Sequence, residues 1–118
     1  VQSEGAPAYA LSFKAGQVVE TKEARTLADG MATRIPDPVA LALIQRGASR
    51  IVTVTDAEVA AAIRAYWQDT HNLAEGAGAA PLAALLRERE QMRGRRVGLV
   101  LSGGNIDLAL FCHWVLDA

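Results

Sequence analysis

The chain has 118 residues, 51% hydrophobic and 21% charged, with a formal net charge of −1, the make-up of an ordinary globular domain near the lower size limit for an α/β core. Near-neutral charge argues against nucleic acid or an anionic membrane as the main partner, since either favours a basic face, and no stretch approaches the ~20 apolar residues of a membrane span. A single cysteine, Cys112, excludes an intrachain disulfide and fits a reducing, cytoplasmic compartment; lying in the apolar run Leu108–Cys112, it reads as a buried, inert thiol.

In chain order, Val1–Ser3 reads as the end of a strand, and the absence of a leading Met suggests a piece of a longer chain. Gly5–Lys14 is predicted helical, with Pro7 in the first turn and Gly16 just past the end. Gln17–Asp29 has no period and reads as loop. After Pro36 and Pro38, the residues Val39, Leu41, Leu43 and Ile44 form the apolar face of a helix ending at Gly47. Arg50–Thr55 is rich in β-branched residues and reads as a strand. It runs into Thr55-Asp56-Ala57-Glu58, a capping box opening a helix with Val59, Ile63, Tyr66 and Trp67 on one face.

Asn72–Gly78 is a small-residue turn, followed by a predicted helix over Ala79–Glu90 with Leu82, Leu85 and Leu86 inward. The basic cluster Arg87, Arg89, Arg93, Arg95 and Arg96, interleaved with Glu88 and Glu90, reads as a solvated helix end. Arg96–Leu101 is almost continuously apolar, as a strand covered on both faces would be, and Asn105–Leu116 is amphipathic and predicted helical. Strands alternating with helices give an α/β fold, a sandwich portion of mostly parallel strands flanked by helices, with no linker to divide residues 1–118.

Ligands of open α/β sheets bind beyond the carboxyl ends of the strands. One such place is Thr55, which its capping role explains. The other is Ser102-Gly103-Gly104-Asn105, where paired glycines let backbone approach a ligand closely and take positive φ values, and Ser102 offers a neutral donor and acceptor. A plain glycine turn with Ser102 as a cap accounts for the same residues.

Four further segments accompany this turn in order: Val1–Ala6, Thr26-Leu27-Ala28-Asp29-Gly30, Val52–Glu58 and Leu73–Ala80. Together they resemble the C-terminal third of the threonine/serine dehydratase and serine racemase family of fold-type II pyridoxal-phosphate (PLP) enzymes. The resemblance implies part of the large PLP-binding domain. It also implies an amino-acid substrate, a homo-oligomer, and loss of water and then ammonia from a hydroxy-amino acid. Ser102 is similar to the serine that hydrogen-bonds the pyridine nitrogen. A neutral hydroxyl leaves that nitrogen largely unprotonated, a weaker electron sink that suits prompt loss of a β-hydroxyl. Gly103 and Gly30 resemble glycines lining the cofactor, Asp29 a residue near the substrate, and Glu75 a glutamate at the cofactor end of the pocket. A carboxylate beside a helix N-terminus explains Glu75 equally well.

Two departures stand out. Relatives carry a divalent-cation site using a Glu where this chain has Gln2 and an Asp where it has Ala8, so no metal is expected. Ser12-Phe13-Lys14 looks like the family's Schiff-base motif, but it sits in the wrong third of the fold, and Lys14 reads as an exposed helix-end cation. The catalytic lysine and the phosphate loop are therefore expected outside this chain, which alone should not turn over substrate. A non-catalytic module on the same frame, or a racemase or β-replacement enzyme, are the alternatives. Exposed apolar faces, with Leu99, Leu101, Trp67 and Trp114 as candidates, are expected to drive association.

Overall fold

The computed structural model describes residues 1–116. It is an α/β arrangement: a two-stranded parallel sheet, strand β1 (Gln2–Ser3) beside β2 (Thr53–Val54), with helices α1 (Ala8–Ala15), α2 (Pro38–Gly47), α3 (Asp56–Ala65), α4 (Gly76–Arg87) and α5 (Leu108–Phe111). Gln2 pairs with Thr53 and Ser3 with Val54. The Gln2 and Glu4 N–H groups donate to the Val52 and Val54 carbonyls at 2.9 and 2.8 Å. The helices α1 and α2 lie within the long connection that a parallel pair requires.

The expected cap of α3 is formed. The Thr55 hydroxyl accepts from the Glu58 N–H at 3.2 Å, and the Glu58 carboxylate accepts from the Thr55 N–H at 2.8 Å. Val59 and Ile63 are fully buried, whereas Trp67, on a π-helical turn after α3, is 42% exposed and meets Phe111 edge-on at 5.4 Å. Gly16 closes α1 in the left-handed conformation, at φ 74°. Pro7 stands before α1 rather than in its first turn, because the segment from Ser3 to Ala6 is spent on a turn. There the Ala6 N–H reaches the Ser3 carbonyl and the Gly5 N–H the Ser3 hydroxyl, both at 3.1 Å.

Several expectations change. The helix predicted from Ala79 starts at Gly76, because the Glu75 side chain caps it, and it ends at Arg87. Of the leucines expected inward, Leu82 packs half-buried against the core, but the fully buried face is made of smaller residues. Gly76, Ala79, Ala80, Ala83 and Ala84 are buried, a stripe at helical spacing, while Leu86 is 45% exposed. This stripe packs on Val59, Ala60, Ala62 and Ile63 of α3, and small side chains let the two backbones approach closely. The longer leucines are then left at the edges of the contact.

The expected strand Arg96–Leu101 takes up no regular structure. A strand needs a neighbour for its N–H and C=O groups, and among the described residues this segment lies in no sheet; Val100 is left 72% exposed. Strand β2 covers Thr53–Val54 rather than the predicted Arg50–Thr55, matching the two residues of β1 that pair with it. On α2 only Leu41 is buried, against α1, while Val39 and Leu43 face outward.

The final helix begins at Leu108 rather than Asn105, capped by Asp107, and passes into a π-helical turn over Cys112–Leu116. Trp114, expected on an exposed face, is buried in the core and its carbonyl accepts from Arg64 at 2.7 Å. Cys112 is half-buried rather than buried. No helix of the described residues is long and apolar enough to cross a membrane.

Candidate functional site: the turn and helix cap around Glu75

Helix α4 opens on Gly76-Ala77-Gly78, a composition that suits an anion-binding helix N-terminus. The molecule fills that position itself. Glu75 Oε2 accepts from the Ala77 N–H at 3.1 Å and Oε1 from the Gly78 N–H at 3.0 Å. A phosphate could reach these two donors only by displacing a carboxylate of like charge, so the phosphate of a cofactor has no seat here.

The same residue ties the helix to the glycine turn. The Glu75 N–H donates to the Gly103 carbonyl at 3.0 Å. A Cβ on Gly103 would sit 3.4 Å from Glu75 Oε1, and one on Gly78 would sit 2.5 Å from the Gly103 oxygen. Gly104 is equally constrained: its Cβ would lie 2.5 Å from the Leu73 oxygen. The paired glycines are thus required by close approach to Glu75 and to the Leu73 backbone, and neither takes the positive φ their pairing suggests.

Gly30 arrives from a distant part of the chain. It belongs to a 3-10 turn, Asp29–Met31, and its Cβ would lie 3.7 Å from Glu75 Oε2 and 3.1 Å from the Ala77 Cβ. Gly30, Glu75 and Gly103 are therefore gathered round one carboxylate. Beside them opens a cavity of about 270 Å³ lined by Thr26, Leu27, Asp29, Glu75, Gly76, Asn105, Ile106, Asp107 and Leu110. Of the sequence candidates, Asp29 and Glu75 line this cavity directly. Ser102 does not; it is exposed one residue before Gly103.

Ser12 and Lys14 lie elsewhere, on α1. Ser12 is fully buried, and its hydroxyl accepts from the Val19 N–H at 2.8 Å and donates to the Val19 carbonyl, a structural tie. Lys14 is exposed in the last turn of α1, and neither it nor Lys22 lines the cavity. Among the described residues no three His, Cys, Asp or Glu side chains gather at a metal-binding distance. Ala8 is fully buried at the start of α1.

The residues present fit one part of a PLP cofactor. Side-chain-free backbone at Gly30 and Gly103 lies close against the Glu75 side chain, and the adjoining cavity is the open space on this wall. The exposed Ser102 hydroxyl is a neutral partner of the kind a ring nitrogen takes. They do not fit the phosphate or the aldehyde, for which no free amide nest or nearby lysine is at hand among the described residues.

The sequence reasoning missed Asp56, the residue holding Thr26 and Leu27. In the pattern it is only an interior letter of the capping box, and its partners lie 30 and 29 residues away, beyond any local signal.

The α/β frame thus brings a glycine turn and a capped helix together beside a small cavity. Residues 1–103 match the family model described as pyridoxal-phosphate dependent enzyme, and the chain belongs to that family. It is 40% identical over 108 residues to the L-threonine ammonia-lyase of Geobacter sulfurreducens, covering 92% of this chain and 27% of that protein. It is 35% identical over 97 residues to the beta-hydroxyaspartate dehydratase of Paracoccus denitrificans, covering 82% of this chain and 30% of that protein. Among solved structures, a T.th. threonine deaminase superposes with a TM-score of 0.83 at 30% identity, over 90% of this chain and 39% of that one. A maize serine racemase superposes with a TM-score of 0.84 at 23% identity, over 95% of this chain and 35% of that one, a likeness of fold. The chain thus spans less than a third of the length of these two curated relatives.

Proposed function

We propose that residues 1–118 form the C-terminal part of the large PLP-binding domain of a threonine/serine ammonia-lyase, converting a hydroxy-amino acid to a 2-oxo acid and ammonia. The observation that carries this reading is the convergence of Asp29, Gly30, Glu75 and Gly103, from separate parts of the chain, beside the Ser102 turn. Membership of the PLP-dependent family and the names of the relatives support it.

Within this reading the cofactor supplies electron withdrawal from the substrate Cα. This chain supplies one wall. The Ser102 hydroxyl would donate to the ring nitrogen and leave it unprotonated. Gly30 and Gly103 bring backbone close to the ring, and Glu75 holds the glycine turn against α4. Asp29, which lines the cavity, would be the residue near the substrate. The lysine that tethers the cofactor and the amides that hold its phosphate come from outside these residues, so residues 1–118 by themselves turn over no substrate.

On the fuller reading the protein is a cytoplasmic homo-oligomer without nucleic acid or membrane partners. The lone half-buried Cys112 and the apolar exposure at Val97 and Val100 support it.

The test is product analysis. The PLP-loaded full-length protein is expected to give 2-oxo acid and ammonia in equal amounts from L-threonine or L-serine. D-serine without pyruvate would instead indicate a racemase, and no reaction with either substrate would remove the lyase reading.

A further inference from the structure

Asp56 stands outside the cavity, yet it carries the segment that walls it. It is the first residue of α3, where Thr55 and Glu58 already complete the capping box. Its carboxylate turns to the loop instead: Oδ1 accepts from the Thr26 hydroxyl at 2.5 Å and Oδ2 from the Leu27 N–H at 2.9 Å. Thr26 Oγ1 accepts in turn from the Ala28 N–H at 3.1 Å.

Ala28 transmits this placement. It is 1% exposed, and a Cβ on Gly76 would come within 2.7 Å of the Ala28 Cβ, so no slack exists between the loop and the start of α4. The Ala28 carbonyl then accepts from the Met31 N–H at 3.0 Å, opening the turn that bears Asp29 and Gly30. Three consecutive residues hang from one carboxylate, and Thr26, Leu27 and Asp29 all line the cavity.

We propose that Asp56 is a positioning residue for the cofactor and substrate pocket, setting the Asp29–Gly30 wall against Glu75 through Thr26 and Leu27 without touching either ligand. Its kinetic consequence rests on the lyase reading; its structural consequence rests on the hydrogen bonds alone. The carboxylate accepts from both neighbours. An amide at the same place has one acceptor oxygen, so it can hold the Leu27 N–H only by reversing the bond to Thr26, and it loses the charge that strengthens both bonds.

The test compares Asp56→Asn with Ile63→Val in the PLP-loaded full-length protein. Ile63 is fully buried in the core, and trimming it lowers stability without reaching the loop. For Asp56→Asn, KM for the hydroxy-amino acid is expected to rise about tenfold, the scale of one lost charge-assisted hydrogen bond, with kcat nearly unchanged. Ile63→Val is expected to leave KM alone. Amide hydrogen exchange at Leu27 and Ala28 is expected to quicken about tenfold in Asp56→Asn while Val59–Ile63 keeps its protection. An unchanged exchange pattern overturns the tie, and quickened exchange with unchanged KM overturns the positioning role. If the wild type shows no lyase activity, the lyase reading fails separately. PLP affinity by fluorescence titration then decides the positioning role: weaker binding in Asp56→Asn upholds it, equal binding overturns it.

Discussion

The amide of Glu75 donates to the carbonyl of Gly103 at 3.0 Å, while the carboxylate of the same residue caps α4. One residue therefore fixes both the start of the helix and the position of the glycine turn. A change on either side of that link is felt on the other.

Gly78 is the most demanding point of the link. An alanine there places a methyl 2.5 Å from the Gly103 oxygen and 3.1 Å from its nitrogen, both backbone atoms that cannot rotate away. Gly78→Ala is expected to cost ~1–3 kcal/mol, the range for overfilling a packed contact. Gly98→Ala, whose Cβ meets nothing within 4 Å, is expected to stay within ~0.5 kcal/mol of wild type. Urea midpoints of the two variants make the comparison, and equal midpoints would contradict the close approach.

Glu75→Gln tests the cap. The amide retains a single acceptor oxygen for two N–H donors and removes the negative charge from the helix N-terminus. A loss of about 1 kcal/mol is expected, in the range of N-cap replacements, at an unchanged denaturant slope. Glu75→Asp, with the charge but a shorter reach, is expected to fall between.

Acid sensitivity should trace in part to Glu88. A hydrogen bond from the Arg50 guanidinium holds its pKa below the ordinary value of 4.5, and the Arg50 charge adds to this. A carboxyl depressed in the folded state contributes stability that is complete above its unfolded value. That contribution is lost as pH falls through the lower folded value. Arg50→Ala is therefore expected to lower stability at neutral pH and to flatten the dependence below pH 4.5, with added salt shrinking the difference. Thermal unfolding between neutral and acid pH in low and high salt checks both signs.

The local signals in the sequence were good wherever the interaction itself is local. The Thr55–Glu58 box and the Gly16 stop depend on neighbours within a few residues, and each takes up the conformation its pattern suggests, whereas Gly103 and Gly104 answer to the remote Glu75 and Leu73 and take no positive φ. The signals misled where a segment's state depends on what lies beside it. Arg96–Leu101 has a strand's composition but no strand to pair with among the described residues. Helix α4 has leucines that read as its core face, whereas the close packing on α3 selects its alanines. Glu75 was visible as a motif, and its double role as cap and clasp emerged only with the turn alongside it. Asp56 was invisible for the opposite reason, since a capping box leaves that position free and its partners are remote in sequence.

The central claim is that this chain supplies the wall that meets the ring of the cofactor, with Ser102 as its polar contact. PLP titration of the full-length protein, followed by absorbance, tests this most directly. Wild type is expected to saturate at one PLP per chain with a band near the visible edge. Ser102→Ala is expected to shift that band and to weaken PLP binding about tenfold, the scale of one hydrogen bond. A Ser102→Ala protein with the wild-type band and wild-type affinity would contradict the claim.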